Sequence, residues 1–227
     1  MARKRRKQIT RDAIIDAALD LAAREGWESI RLHEIATDCD AGLDDVRQHF
    51  AEKDDIIDGW FDRADAAMLQ RHDRGELAGL SARERLYELI TTWLDCLAPY
   101  QRVTREMIGH KLEFGHVHVQ FPAVLRISRT VQWIREGARL DAPLPRRALE
   151  ETALTALFVK TFLYWLRDDS PGQESTRRWL NRGLTMLEGV GNNVPGGRFS
   201  GEIRYHDRED DSGEQAESND DQPSAAR

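Results

Sequence analysis

The stretch LHEIATDCDAGLDDVRQHFAEK, residues 32–53, contains two short helical runs, Leu32–Cys39 and Leu43–His49, separated only by Asp40, Ala41 and Gly42. Two short helices joined by so tight a turn have the spacing of a helix-turn-helix. Upstream, Thr10 is placed to cap a helix running to Arg24, with Ile14, Ala18 and Leu21 on one face, Gly26 ending it and Trp27 anchoring the turn. Downstream, a long helix is predicted over Asp54–His72. After the Gly75 and Gly79 loop, Ser81 and Glu84 form a capping box that opens a helix to Leu97, where Pro99 stops it. Further helices are predicted over Tyr100–Leu112, Pro122–Leu140, Pro145–Arg167 and Glu174–Val190, with loops at Gly115, Pro143 and Asp168–Gly172.

Apolar residues recur at three- and four-residue steps from Ile14 to Val190, and no stretch alternates with the period of a strand, so the fold class is all-α. The chain divides into a basic arm (1–9), a three-helix helix-turn-helix domain (10–53), a larger helical body (54–194) and an acidic tail (195–227). That tail is too polar to offset its ordering entropy by burial and is expected to be disordered. The 227 residues carry a net charge of −7, which gives no global attraction to nucleic acid, so any basic surface must be local. Cys39 and Cys96 sit in helical patterns and read as buried, reduced thiols. The longest apolar run, Ala153–Leu166, is broken by Lys160 and is too short for a membrane span; Asp12, Asp16 and Asp20 exclude a secretory signal. The expected location is the cytoplasm, without stable membrane insertion.

Residues Thr10–Phe61 resemble the DNA-binding domain of the tetracycline-repressor (TetR) family: Ala17-Ala18-Leu19-Asp20-Leu21, Gly26-Trp27, Ile35-Ala36 and His49-Phe50-Ala51-Glu52-Lys53 fall in one ungapped frame. The resemblance implies a TetR-like fold, in which a helical ligand-binding and dimerisation domain follows the helix-turn-helix. It also implies that Lys53, three residues after Phe50, contacts phosphate. Where the family usually opens the recognition helix with Gly-Val-Ser, this chain has Asp40-Ala41-Gly42-Leu43-Asp44-Asp45. A second resemblance lies further on. Phe162–Gly172 with Thr176, Trp179, Leu180 and Arg182 is similar to the C-terminal region of the lipid-binding accessory family of ubiquinone biosynthesis, a family that shares the TetR fold but holds an isoprenoid lipid rather than an operator. That family's C-terminal amphipathic membrane helix has no counterpart after Val194.

Local charge tests the DNA reading, because phosphate binding is driven by Lys and Arg displacing counterions. Residues 1–11 hold six bases (Arg3, Lys4, Arg5, Arg6, Lys7 and Arg11) and no acid, which suits an arm laid in a groove. Asp12–Trp60, by contrast, holds fourteen acids against four bases. Asp44 and Asp45 favour the helix dipole but repel phosphate. Arg47, Gln48 and His49 remain as readers of base edges. The expected contacts of double-stranded DNA are Arg3, Lys4, Arg5, Arg6, Lys7, Thr10, Arg31, Leu43, Arg47, Gln48, His49 and Lys53.

In the body, Trp60, Trp93, Trp133, Trp165 and Trp179 fall at helical spacing, which most simply makes core. The sharper expectation is an apolar cavity lined by Trp93, Leu97, Met107, Phe114, Val131, Phe158, Phe162 and Trp165, holding an apolar small molecule or isoprenoid lipid. A homodimer interface is expected on the last two helices, at Leu154, Thr161, Leu180, Leu184 and Leu187. No cofactor is expected. His110, His116 and His118 lack the partners of a metal site and read as a solvated loop; Asp168 and Asp169 read as a helix cap rather than a catalytic pair. Two functions remain: a ligand-responsive transcriptional regulator, and a lipid-binding accessory protein that has lost DNA binding.

Overall fold

A computed structural model describes residues 9–112, 117–140 and 146–193; of residues 112, 117–125, 146 and 190–193 it describes the backbone alone. The predicted arm up to Gln8, the loops with Phe114, Gly115, His116 and Pro143, the His118 side chain and the tail lie outside the described residues. The described elements are helical throughout: α1 (Arg11–Glu25), α2 (Leu32–Asp38), α3 (Leu43–Arg47), α4 (Lys53–Asp73), α5 (Ala82–Leu97), α6 (Gln101–Leu112), α7 (Val117–Gly137), α8 (Arg146–Trp165) and α9 (Glu174–Asn193), with 3-10 turns at Ala98–Tyr100 and Pro171–Gln173.

Local chemistry sets the boundaries. Thr10 Oγ1 accepts the Ala13 N–H at 3.2 Å, and Gly26, at φ 88°, takes the left-handed conformation that ends α1. Ser81 and Glu84 form the predicted box, each accepting the other's backbone N–H at 3.3 and 2.8 Å. Several element boundaries differ from prediction by two residues or more. α7 begins at Val117 rather than Pro122, because a proline near a helix start removes one backbone bond without ending the helix. α3 is shorter than expected and stops at Arg47.

The head, α1–α3, packs Ile14, Ala18, Trp27, Ile30, Ile35, Val46 and Phe50 into a buried cluster that continues into α4 through Ile56, Ile57 and Trp60. α4 therefore belongs to both layers, with one end under the head and the rest against α5 and α7. Trp60, Trp93 and Trp165 are core, as their helical spacing predicts, while Trp133 and Trp179 are exposed. α8 and α9 approach closely at Gly183, where a Cβ would fall 2.3 Å from Leu157 Cδ1. Cys39 and Cys96 are free, half-buried thiols, both pushed up by burial.

The α8–α9 corner is tied by Asp168, which accepts from the backbone of Ser170 (3.0 Å) and from Thr176 N (2.8 Å) and Oγ1 (2.6 Å), whereas Asp169 is exposed. Burial works to raise the Asp168 carboxyl, but these donors overcome it and hold the group below its ordinary range. Its stabilisation is therefore present above the unfolded carboxylate pKa and is lost as pH falls through the folded value. Asp168→Ala is expected to cost about 2 kcal/mol at pH 7 and to flatten the acid limb of the stability curve, measured by urea unfolding at pH 7 and pH 3.

Candidate functional site

The chain enters the described structure at Ile9, whose carbonyl lies 3.0 Å from His49 Nε2, two residues past the end of α3. The basic run therefore leaves the fold beside the second helix of the helix-turn-helix. The turn between α2 and α3 closes through Ala41 N–H to Ala36 O at 2.9 Å, with Asp40 at φ 51°. Leu43, the first residue of α3, is exposed.

Arg47 and Gln48, the expected base readers, both donate to Asp44: Arg47 through Nε (3.1 Å) and Nη2 (2.9 Å), Gln48 through Nε2 (3.3 Å). These bonds hold the Asp44 carboxyl below its usual range. All three side chains face solvent, so the pairing is screened and opens at little cost. Asp45 is differently engaged: its Oδ2 accepts the Gly42 N–H at 2.9 Å and caps α3.

Lys53 and Arg31 are placed differently from the phosphate contacts expected of them. Lys53 Nζ donates to Trp27 O (2.5 Å) and Ile30 O (3.0 Å) and lies 4.8 Å from the centre of the Trp27 ring. Arg31 Nη1 donates to Glu28 O (2.5 Å), Ser29 O and Ile30 O. Both cations thus hold the loop between α1 and α2, and burial, with the Arg31 charge, pushes the Lys53 ammonium down. Thr10 serves as the α1 cap.

The acidity of the head is largely structural. Arg63 of α4 binds Asp16 (2.6 Å) and Asp12 (3.1 Å), Tyr100 donates to Asp20 (2.5 Å), Lys111 reaches Asp58 (3.1 Å) and His110 lies 3.6 Å from Asp54. Glu34 and Asp55 accept backbone N–H groups at the starts of α2 and α4. Counting residues 12–60 alone left out the cations that α4 and α6 supply.

The body holds a cavity of about 210 Å³ lined by Asp58 and Phe61 of α4, Trp93 of α5, Ile108 and Lys111 of α6, Arg126, Ile127 and Thr130 of α7, and Phe158, Val159, Phe162 and Leu163 of α8. Of the residues expected there, Trp93, Phe158 and Phe162 line it, whereas Leu97, Met107, Val131 and Trp165 are buried core away from its wall. The Phe61 and Trp93 rings stack at 5.7 Å, with Phe158 and Phe162 edge-on to Trp93 at 5.2 and 5.4 Å. Beside this aromatic wall lies a charged side that aromatic spacing gave no hint of. Asp65 accepts from Trp93 Nε1 (2.8 Å), Thr130 Oγ1 (3.0 Å) and Arg126 Nη2 (2.9 Å), while Arg126 Nη1 binds Asp62.

The residues expected at a dimer interface are placed inside the protomer: Leu154, Thr161, Leu180 and Leu184 are buried between α8, α9 and α5, and Leu187 packs against them. Sequence periodicity picked out faces of α8 and α9 that are covered within the protomer. The outer face carries Leu149, Leu163 and Tyr164 on α8 and Trp179 and Met186 on α9, with Leu149 61% and Met186 72% exposed. Tyr164 and Trp179 stack at 5.9 Å across the two helices.

Head, turn and body together define an all-helical, two-layer protein with a helix-turn-helix at its N-terminus. No protein-family model and no curated protein matches the sequence. Among solved structures it is 47% identical to a TetR transcriptional regulator from Nitrosomonas europaea, with a TM-score of 0.71 over 78% of this chain and 97% of that one. A TetR transcriptional regulator from Rhodococcus sp. RHA1 shares the fold at 16% identity, with a TM-score of 0.59 over 78% of this chain and 93% of that one. The chain belongs to the TetR family of transcriptional regulators. The lipid-accessory reading of residues 162–182 is not supported by these matches, and the residues behind it build the α8–α9 corner: Phe162, Trp165 and Leu166 are core and Asp168 is the cap. Among the described residues no helix is long and apolar enough to cross a membrane.

Proposed function

We propose that this protein is a homodimeric regulator that binds double-stranded DNA through α3 and the basic arm and releases or engages it in response to a small apolar ligand. The observation that carries this reading is the bond between Ile9 O and His49, which roots five successive cations at the end of the second helix of the turn. Asp12, Asp16 and Asp58 behind them are paired with Arg63 of α4 and Lys111 of α6, and the exposed Asp44 pairing yields readily when phosphate draws Arg47 away. Binding-site selection with purified protein tests it; the expected yield is a two-fold symmetric sequence with half-sites a helical turn, or a multiple of it, apart.

α4 supplies the route from cavity to head. Asp62 takes Arg126 of the cavity on one side and Arg11, the first residue of α1, at 3.0 Å on the other; one residue on, Arg63 holds Asp12 and Asp16. A ligand that moves α4 therefore moves the head. An isoprenoid lipid suits this body poorly, since a cavity of about 150 Å³ is filled by benzene and this one is only about 210 Å³.

We assign the dimer interface to the outer α8–α9 face. Met186→Arg is expected to leave the fold intact, because Met186 is exposed, and to convert the dimer into monomers by light scattering; a persistent dimer places the interface elsewhere.

A further inference from the structure

Among the described residues, the buried groups of the body cavity with hydrogen bonds left unmade are donors. Lys111 and Arg126 line it with side chains only 10% and 11% exposed. Lys111 Nζ has three N–H groups, and its partner among the described residues is Asp58, a half-exposed carboxylate 3.1 Å away. Arg126 spends both Nη atoms on Asp62 and Asp65, but its Nε is buried with no hydrogen-bond partner among the described residues. A buried N–H left unmade is costly, and groups so placed await an acceptor. The acids differ. Asp65 already accepts from three side chains, and Asp62 is shared between Arg126 and Arg11. A cationic ligand would find Asp62 and Asp65 occupied and Asp58 paired with Lys111, and would face two cations, whereas an anionic one finds donors.

Size and wall chemistry narrow the ligand further. A cavity of about 210 Å³ is somewhat larger than one that benzene fills, and its wall is the aromatic cluster of Phe61, Trp93, Phe158 and Phe162. That space takes one ring, or an apolar chain of similar bulk, with a short polar end. We propose that the cavity binds a compact apolar acid, its ring or chain against Trp93 and Phe162 and its carboxylate accepting from Lys111 and Arg126. This rests on the cavity being the effector site of the regulator proposed above. Charge-assisted bonds from Lys and Arg to a carboxylate are the strongest such a site can make. The carboxylate also competes with Asp62 for Arg126, so occupation weakens one of the two ion pairs that Asp62 makes and alters its hold on Arg11 at the start of α1.

The test is calorimetric titration of the full chain with 3-phenylpropanoate, 3-phenylpropan-1-ol and 3-phenylpropan-1-amine, three probes with one body and different heads. The carboxylate is expected to bind at least about tenfold more tightly than the alcohol, and the amine not measurably. Lys111→Met, whose loss leaves only the half-exposed Asp58 unpaired, is expected to remove most of that preference while alcohol binding is retained. Arg126→Met, checked for native helicity because it strips Asp65 of its cation, is expected to do the same. Equal binding of all three probes, preference for the amine, no binding of any, or an undiminished carboxylate preference in Lys111→Met overturns the proposal. Duplex binding of the unliganded protein is measured beside it: if it persists while the acid fails to bind, only the ligand assignment falls; if no duplex is bound, the regulator reading falls whatever the cavity holds.

Discussion

Asp65→Ala is expected to lower the stability of the protein by about 3–5 kcal/mol, a drop in thermal midpoint on the order of 10 °C. Asp65 is buried, and removing its carboxylate leaves the Trp93 indole N–H, the Thr130 hydroxyl and one Nη of Arg126 without their acceptor. The Arg126 charge cannot readily escape, because its side chain is almost wholly enclosed and its remaining partner, Asp62, is shared with Arg11. Burial pushes the Asp65 carboxyl above its usual range against the pull of Arg126, Trp93 and Thr130, so the wild-type group is itself held at some cost. By linkage, that cost appears as stability falling when pH rises through the folded pKa of Asp65. Asp65→Asn keeps an acceptor for Trp93 and is expected to lose less than Asp65→Ala. Thermal unfolding followed by circular dichroism at pH 7 gives the ranking, and equal losses for the two variants would show that the charge facing Arg126, and not the acceptor for Trp93, is what Asp65 supplies.

Deleting residues 2–8 is expected to weaken duplex binding by about a hundredfold or more near physiological salt and to flatten the dependence of log affinity on log salt by about four units per arm, about nine for the dimer, since five cations are removed from each subunit. Ile9 and its bond to His49 remain in that variant, so the head keeps its geometry. Base discrimination by Arg47 and Gln48 should survive, because arm contacts position a protein on DNA while groove contacts specify sequence. Fluorescence anisotropy over a salt series measures both quantities. An unchanged slope would mean that the arm does not touch the duplex.

The fold was legible because its markers are local. Thr10, Gly26, Ser81 with Glu84 and the Asp40-Ala41-Gly42 turn each set a helix boundary through chemistry within a few residues, and the structure uses them all. Partners distant in sequence were not legible. Lys53 reads as a cation for phosphate until the 27–30 carbonyls are seen around it. Asp12 and Asp16 read as unpaired acids facing DNA until Arg63 arrives from α4. Periodicity could show that Leu154, Thr161, Leu180 and Leu184 share faces, but not that those faces meet each other and α5 rather than a second subunit. The cavity was half visible, since aromatic spacing finds Trp93, Phe158 and Phe162, whereas Asp65 and Arg126 stand 61 residues apart.

Reading of DNA sequence by this head is what separates a regulator from a protein with a merely basic arm. Its most direct test is the ratio of affinities of the purified full chain for its selected duplex and for a scrambled duplex of the same composition, at about 0.15 M salt. Reading through α3 with the arm as anchor predicts a ratio of about a thousandfold or more. A ratio near one, with both duplexes released together as salt rises, would contradict it and leave only a basic arm attracted to any polyanion.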